Sequence, residues 1–449
     1  MEQPPEGTFR RLLLVLRTLP RDSQSPMRYN LAMIELTLDS FAYGGECFGR
    51  LQDGRAVFVP HALPGERVRI RLTEQKRGYA RGELLEVLTP APERIKPRCP
   101  YYFRPSADTA LPAACGGCHY QHLPYETQLQ AKTDILSDQL QRIGKLKDPP
   151  ILPAVPSPAQ WHYRNHVQFH LTAEGDLGFK AARSDETVPV EACLLPETPL
   201  AELLSQLDFE AIPGLERVSL RLGAGDDILI NLESNDPQPF SLTVDLPVSV
   251  VHHGPGGSLV LAGDDHIVIE VLQRPFRVSA GAFFQVNTAM AAQMVTHLLE
   301  NLDVRNTDTV VDAYCGAGLF SAFLAQRARR VIGIETSPQA YEDFVVNLDE
   351  FDNVELYEAP VEKTLPALDV HADLLVADPP RAGLGRQTLE GIASLKPREI
   401  AYISCDPATL GRDARYLTEM GYYLRQITPF DLFPQTYHIE SISFWARSL

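Results

Sequence analysis

The chain has 449 residues, too many for one ordinary domain of roughly 150 residues, and its 44% hydrophobic and 22% charged composition excludes a largely disordered or fibrous protein. A formal net charge of −17 argues, as a sum, against nucleic acid, but the first 100 residues hold 16 Lys and Arg against 12 Asp and Glu, so basic charge is segregated at the start. No apolar run approaches the about 18 residues of a membrane span, and seven cysteines without an export signal point to a reducing cytoplasm rather than a disulfide framework.

Residues 1–32 are rich in Pro and Arg without periodicity, and read as a disordered tail or as an over-long start ahead of a second methionine, Met33. Residues 33–89 carry short alternating runs such as Ile34-Glu-Leu-Thr-Leu and Arg67-Val-Arg-Ile-Arg-Leu, separated by Gly44-Gly45, Asp53-Gly54 and Pro64-Gly65. Period-two alternation between turn signals predicts a small OB-like β-barrel. Arg67, Arg69 and Arg71 fall on one strand face, followed by Lys76, Arg77, Tyr79 and Arg81. This stripe reads equally as an RNA-facing surface or as a solvated strand face.

Residues 90–275 form a mixed, Pro-punctuated segment with strand-like stretches at His166-Val-Gln-Phe-His-Leu and Ile228-Leu-Ile-Asn-Leu. It holds one clear helix after Pro124, where Leu129, Leu136, Leu140 and Ile143 repeat at helical spacing until Gly144. From 276 to 449 strands and helices alternate, the rhythm of a doubly wound parallel sheet in the α/β class.

The first of these strands ends in Asp312-Ala-Tyr-Cys-Gly-Ala-Gly318, a turn that brings backbone close to a ligand beside a helix start. Glu335 closes the next strand, where an acidic side chain can accept both ribose hydroxyls of an adenosine. A nicotinamide dinucleotide site favours a third glycine, whereas S-adenosyl-L-methionine carries no phosphate and needs only this shorter loop. The third strand ends in Asp378-Pro-Pro-Arg381, beside the same crevice.

A fourth apolar strand ends at Cys405, ahead of the polar stretch Asp406-Pro-Ala-Thr-Leu-Gly-Arg-Asp413. A thiolate there can add to C6 of a pyrimidine and make C5 nucleophilic toward a methylsulfonium, after which a base must remove the C5 proton. The site is expected to lower the thiol pKa from its reference of about 8.5. His438 and Glu440, at i and i+2 before the strand Ser441-Ile-Ser-Phe-Trp445, are expected to share one strand face so that one orients the other.

With Phe283-Phe-Gln-Val-Asn287, Asp312-Ala-Tyr-Cys-Gly-Ala-Gly, Asp378-Pro-Pro-Arg, Ser404-Cys-Asp-Pro and Phe433-Pro-x-Thr-x-His-x-Glu440, residues 33–447 resemble the RNA uracil-5-methyltransferases, in particular the 23S ribosomal RNA members with an N-terminal TRAM domain. The resemblance implies a Rossmann-like S-adenosylmethionine domain, with Cys405 as nucleophile and Glu440 as base. It implies that Gln285, Tyr314, Glu335 and Asp378 line the cofactor site, and that Phe283 and His438 meet the target uracil. Cys115-Gly-Gly-Cys118, with Cys99 and Cys193, offers four thiols that suit Zn or a [4Fe-4S] cluster by spacing, or a redox pair at Cys-x-x-Cys; the resemblance favours the cluster and an iron–sulfur central domain. It further implies a cytoplasmic enzyme on structured ribosomal RNA, with no membrane and no obligate protein partner. The competing readings are a transfer-RNA substrate, a cytosine-C5 enzyme, and a non-catalytic RNA-binding factor on the same fold.

Overall fold

The computed structural model describes residues 33–106, 113–207, 209, 212, 214–236 and 246–448, so the expected tail over residues 1–32 lies outside the described residues. Alternation after Met33 produces β1 (Met33–Ala42), β2 (Glu46–Arg50), β3 (Ala56–Pro60), β4 (Arg67–Gln75) and β5 (Tyr79–Thr89), which close into a barrel in the order β1-β2-β3-β5-β4. Leu38, Val57, Val59, Val68, Ile70 and Leu84 fill it. Gly44 and Gly45 join β1 to β2 at φ 99° and 78°, a conformation that side chains resist.

The arginines of β4 do share an outer face, but the register sets carboxylates across from them on both sides. Arg67 pairs with Glu35 at 2.9 Å, Arg69 with Glu35 at 2.8 Å and with Glu86, and Arg71 with Glu83 at 2.5 Å. The face that forms is solvated and self-neutralised, and not a free basic stripe.

The predicted helix is α1 (Tyr125–Arg142), which crosses the far end of the chain: a side chain on Gly411 would meet the Gln139 carbonyl at 2.9 Å. Then β6 (His166–Leu171), β7 (Leu177–Lys180), β8 (Thr187–Pro189), α2 (Thr198–Leu204), β9 (Leu215–Leu222), β10 (Ile228–Ser234), β11 (Ser249–Gly254) and β12 (Gly257–Ala262) follow. Their strands form a seven-stranded sheet, β12-β11-β10-β9-β6-β7-β8, antiparallel except for the parallel pair β10 and β11. One face buries Val167, Phe169, Val218, Leu220, Ile230 and Leu232. By the pleat the other face carries His166, Gln168, Ser219, Arg221, Asn231 and Glu233.

The expectation of an iron–sulfur domain in this segment is corrected. Cys99, Cys115, Cys118 and Cys193 line one cavity of about 540 Å³. Among the described residues, however, no group of three or more His, Cys, Asp or Glu side chains is placed to hold a metal ion. The segment is a mixed sheet whose four cysteines border a shared cavity, with no metal-holding group among the described residues.

A hairpin of β13 (His266–Val271) and β14 (Arg274–Ser279) leads to the alternating unit. This comprises α3 (Thr288–Asn301), β15 (Thr309–Ala313), α4 (Leu319–Ala325), β16 (Arg330–Glu335), α5 (Pro338–Asn347), β17 (Val354–Glu358), α6 (Val361–Thr364), β18 (Leu374–Ala377), α7 (Gly385–Leu395), β19 (Glu399–Ser404), α8 (Pro407–Glu419), β20 (Tyr422–Phe430) and β21 (Glu440–Arg447). The sheet order is β17-β16-β15-β18-β19-β21-β20, parallel as predicted through β19 and antiparallel where β21 joins β19 and β20. The central strands β15, β16, β18 and β19 are buried on both faces. Val310, Val331 and Leu374 pack with α3 residues such as Met294, and Val311, Ile332 and Leu375 share a core with Leu136 and Leu140 of α1. No helix among the described residues is long and apolar enough to cross a membrane.

Candidate active site

The strand order reverses direction at β15 and β18, so a crevice opens at the carboxyl ends of the strands. Tyr314, just past β15, holds φ at +64° while its amide donates to Ile334 O at 3.0 Å. A side chain in the left-handed region is the kind of backbone strain that collects at binding sites. Its hydroxyl lies 3.3 Å from Thr388 Oγ1. Gly316 has open space where a Cβ would stand, and its amide donates to Glu335 Oε2 at 2.9 Å. The other oxygen of Glu335 accepts from the Thr336 and Ser337 amides, both at 2.7 Å. Three amides thus fix this carboxylate at the end of β16.

Beneath the loop, Asp312 is fully buried, accepts from Ser321 Oγ at 2.6 Å, and leaves Oδ1 without a partner. Burial raises its carboxyl to about 7, and burial with the Asp312 charge raises Asp378 to about 7 as well. Open backbone at Gly316, a fixed carboxylate at Glu335 and an orphaned acceptor at Asp312 are what an adenosine with an attached amino acid fits. Gln285 stands in the loop between β14 and α3, held where Asn165 Nδ2 donates to the Gln285 carbonyl at 3.1 Å.

Cys405 follows β19 directly, and Asp406 caps α8 with Oδ1 accepting from the Ala408 and Thr409 amides at 2.9 Å each. Ser404, the last residue of β19, pairs with Ser441 of β21, and Cys405 follows that pair on one strand as Glu440 precedes it on the other, near enough for the Glu440 charge to act on the Cys405 thiol. Contrary to the expectation of a lowered thiol pKa, Cys405 is pushed up to about 12. Burial is the largest cause, the Glu440 and Asp378 carboxylates add to it, and Arg381 opposes them. Glu440 is buried as well, which raises its carboxyl well above the ordinary range, with Asp378 adding and Arg381 and Lys132 opposing. Burial therefore biases both Cys405 and Glu440 toward their neutral forms.

His438 does not share a strand face with Glu440. It lies in the turn ahead of β21, with Nδ1 3.3 Å from Arg381 Nη2 and its ring near Phe433 and Tyr437. Burial, with Arg381 next, lowers its pKa to about 3, so its ring is neutral, with one N–H donor and one acceptor nitrogen. Phe283 is 70% exposed and borders the same cavity as Arg381, which Cys405 does not line.

Two contacts were not foreseen. Lys132 of α1 reaches Asp431 Oδ1 at 2.5 Å and the Phe433 carbonyl at 3.1 Å, behind the turn that carries His438 and Glu440. The Tyr43 hydroxyl, just past the barrel's first strand, donates to Asp406 Oδ2 at 2.7 Å, next to Cys405. Its ring also meets Tyr437 edge-on at 6.0 Å. These partners lie 299 and 363 residues apart in sequence, beyond any local signal.

The family model described as tRNA (uracil-5-)-methyltransferase matches residues 245–448, and that of the TRAM domain matches residues 28–85. An uncharacterized RNA methyltransferase of Streptomyces avermitilis is 36% identical over 91% of this chain and 97% of its own. Another from Aquifex aeolicus is 35% identical, again over 91% of this chain and 97% of its own. Among solved structures, the tRNA (uracil-54, C5)-methyltransferase of Pyrococcus abyssi in complex with S-adenosyl-L-homocysteine aligns with a TM-score of 0.69. It covers 92% of this chain and 100% of that one at 21% identity, a likeness of fold.

Proposed function

We propose, for a chain that belongs to the RNA (uracil-5-)-methyltransferase family and carries a TRAM domain, that it methylates C5 of a uridine in 23S ribosomal RNA through a covalent bond from Cys405 to C6. The observation that supports this reading is that Cys405, Glu440 and Asp378 come together at adjoining strand ends, Cys405 just past β19, Glu440 at the start of β21 and Asp378 just past β18, with both carboxylates acting on the Cys405 thiol. S-Adenosylmethionine, when bound, supplies an electrophilic methyl group on a sulfonium. Glu335 and the amide-lined loop at Gly316 would hold its adenosine, with Tyr314, Asp378 and Gln285 around the remainder.

Cys405 Sγ bonds to C6 of the uracil as its proton leaves, and Asp378, titrating near 7, is the neighbouring group able to receive it. C5 gains the electron pair and takes the methyl group. Glu440, which must be ionised at this point, then removes the C5 proton, the C5–C6 double bond re-forms and the C6–S bond breaks with its electron pair left on sulfur. Phe283 offers a flat exposed ring on which the uracil can stack, and His438, neutral and beside Arg381, can accept or donate a hydrogen bond at its edge.

Transfer RNA is the competing substrate, favoured by the fold shared with the Pyrococcus enzyme. Unmodified transcripts of 23S ribosomal RNA and of a transfer-RNA pool, each incubated with labelled S-adenosylmethionine, separate the two. The ribosomal transcript is expected to gain 5-methyluridine, and its 5-fluorouridine form is expected to trap a covalent complex that Cys405→Ala cannot form. Methylation of the transfer RNA alone overturns the substrate, and methylation by Cys405→Ala overturns the mechanism.

A further inference from the structure

The polar face of the central sheet is not uniformly wet. Between β6, β9 and β10 it sinks into a recess of about 200 Å³, whose floor includes Ser219, Arg221 and Asn231 and whose rim includes Gln168, Glu233 and Phe283. Arg221 and Asn231 are each only 7% exposed. Arg221 Nη2 donates to the Ala282 carbonyl at 2.7 Å, but Nη1 and Asn231 Oδ1 have no partner. Arg221 forms no ion pair among the described residues, and its burial lowers its pKa to about 10.

A buried guanidinium edge and a buried amide oxygen on adjacent strands of one recess, both unsatisfied, carry a cost that a bound polar group removes. We propose that this recess is a subsite for an unpaired nucleobase of the RNA strand that carries the target uridine. The proposal rests on the reading of RNA as substrate given above.

Three features select a base over a phosphate. The two free atoms are one donor and one acceptor, the pairing that every nucleobase edge presents and that a phosphate, with acceptors only, does not. Glu233 stands at the rim, held by Gln168 Nε2 at 3.0 Å and by Arg217, and its carboxylate disfavours an anion there. The volume is about seven times the ~30 Å³ share of a liquid water, suited to a planar ring rather than a sugar–phosphate unit. His166, at the same edge, is held neutral by burial, so the recess adds no cation beyond Arg221.

Its position fits a flanking nucleotide. Phe283 and Val286 border both this recess and the larger cavity that extends to Arg381 of the Asp378-Pro-Pro-Arg381 loop. A strand whose target base lies at the Cys405 site can thus place a neighbour on the other side of Phe283. Splaying of bases into separate protein pockets is the usual way in which single-stranded RNA is read.

The test uses the full chain and whichever of the two unmodified transcripts the wild type methylates. Asn231→Ala is expected to raise KM for that RNA about 5- to 10-fold, the loss of one hydrogen bond, with kcat and the Kd for S-adenosylmethionine unchanged. Arg221→Lys should move KM the same way. Chemical probing of the bound transcript should show one unpaired base near the methylated uridine protected by wild type and reactive with Asn231→Ala. If Asn231→Ala melts like wild type and keeps its KM and the protection, the subsite is refuted while the enzyme reading stands. If wild type methylates neither transcript, the substrate reading fails and the subsite falls with it. Should Arg221→Lys not fold, the Asn231→Ala comparison decides alone.

Discussion

Lys132→Met is the perturbation whose effect the structure fixes most tightly. The ammonium and Asp431 are 3% and 1% exposed, 2.5 Å apart, and join α1 to the turn between β20 and β21. Burial lowers the Lys132 pKa while Asp431 pulls it back up, so the pair persists because each charge compensates the other. Met matches the volume of the side chain but leaves Asp431 ionised or forced to take a proton in an apolar setting, a loss of about 3–5 kcal/mol. At a urea slope of about 2 kcal/mol/M, the midpoint should fall by roughly 1.5–2.5 M.

The assay follows Trp445, which is 1% exposed and shares a core with Leu136 and Leu140 of α1. The chain has two tryptophans, so a Trp161→Phe background leaves Trp445 as the reporter. Adding Asp431→Asn to Lys132→Met should restore most of the loss, because the second change removes the stranded charge. A midpoint within experimental error of wild type, or a double variant no better than the single, would refute the claim that this buried pair anchors α1.

Two further outcomes follow from the same site. Tyr43→Phe removes a hydrogen bond to the capping carboxylate Asp406 and should lower kcat for methyl transfer about 10-fold or more, with the S-adenosylmethionine Kd unchanged by calorimetry, since a bond to a charged group contributes about 1.5–3 kcal/mol. An unchanged kcat would show that the contact is incidental. Because the free thiol of Cys405 is raised to about 12, only its small ionised fraction reacts at neutral pH, and that fraction grows as pH rises toward the pKa. Alkylation of Cys405 by iodoacetamide, read by mass spectrometry of its peptide, should therefore climb about tenfold per pH unit from pH 7 to 10. A plateau near pH 7 would mean that the resting site stabilises the thiolate after all.

What the sequence made legible was what a single strand end can announce. Cys405, Asp378 and Glu335 each close an apolar run, and in an open α/β sheet such residues fall on one edge whatever the loops do. The relation of His438 to Glu440 was misjudged because period two holds only inside a strand, and β21 begins at Glu440. Thiol spacing was a weaker guide still. Cys99, Cys115, Cys118 and Cys193 reach one cavity wall, but the direction in which each side chain points depends on a mixed sheet whose strand order is not written in the spacing. For the arginine stripe the shared face was legible, but the choice between its two readings was not, because the partners are set by register, which pairs Glu35 and Glu86 with Arg69 and Glu83 with Arg71.

That neutralisation changes what the barrel is for. If β4 presented three free guanidiniums, the barrel would serve as an electrostatic anchor remote from the chemistry. With those charges paired, its closest link to function lies at the opposite end of β1, where the Gly44-Gly45 turn lets Tyr43 reach Asp406 and brings Gly45 against His119 and Tyr437. Tyr437 in turn packs on His438, and His438 on Arg381, so one chain of contacts runs from the barrel to the groups that flank Cys405.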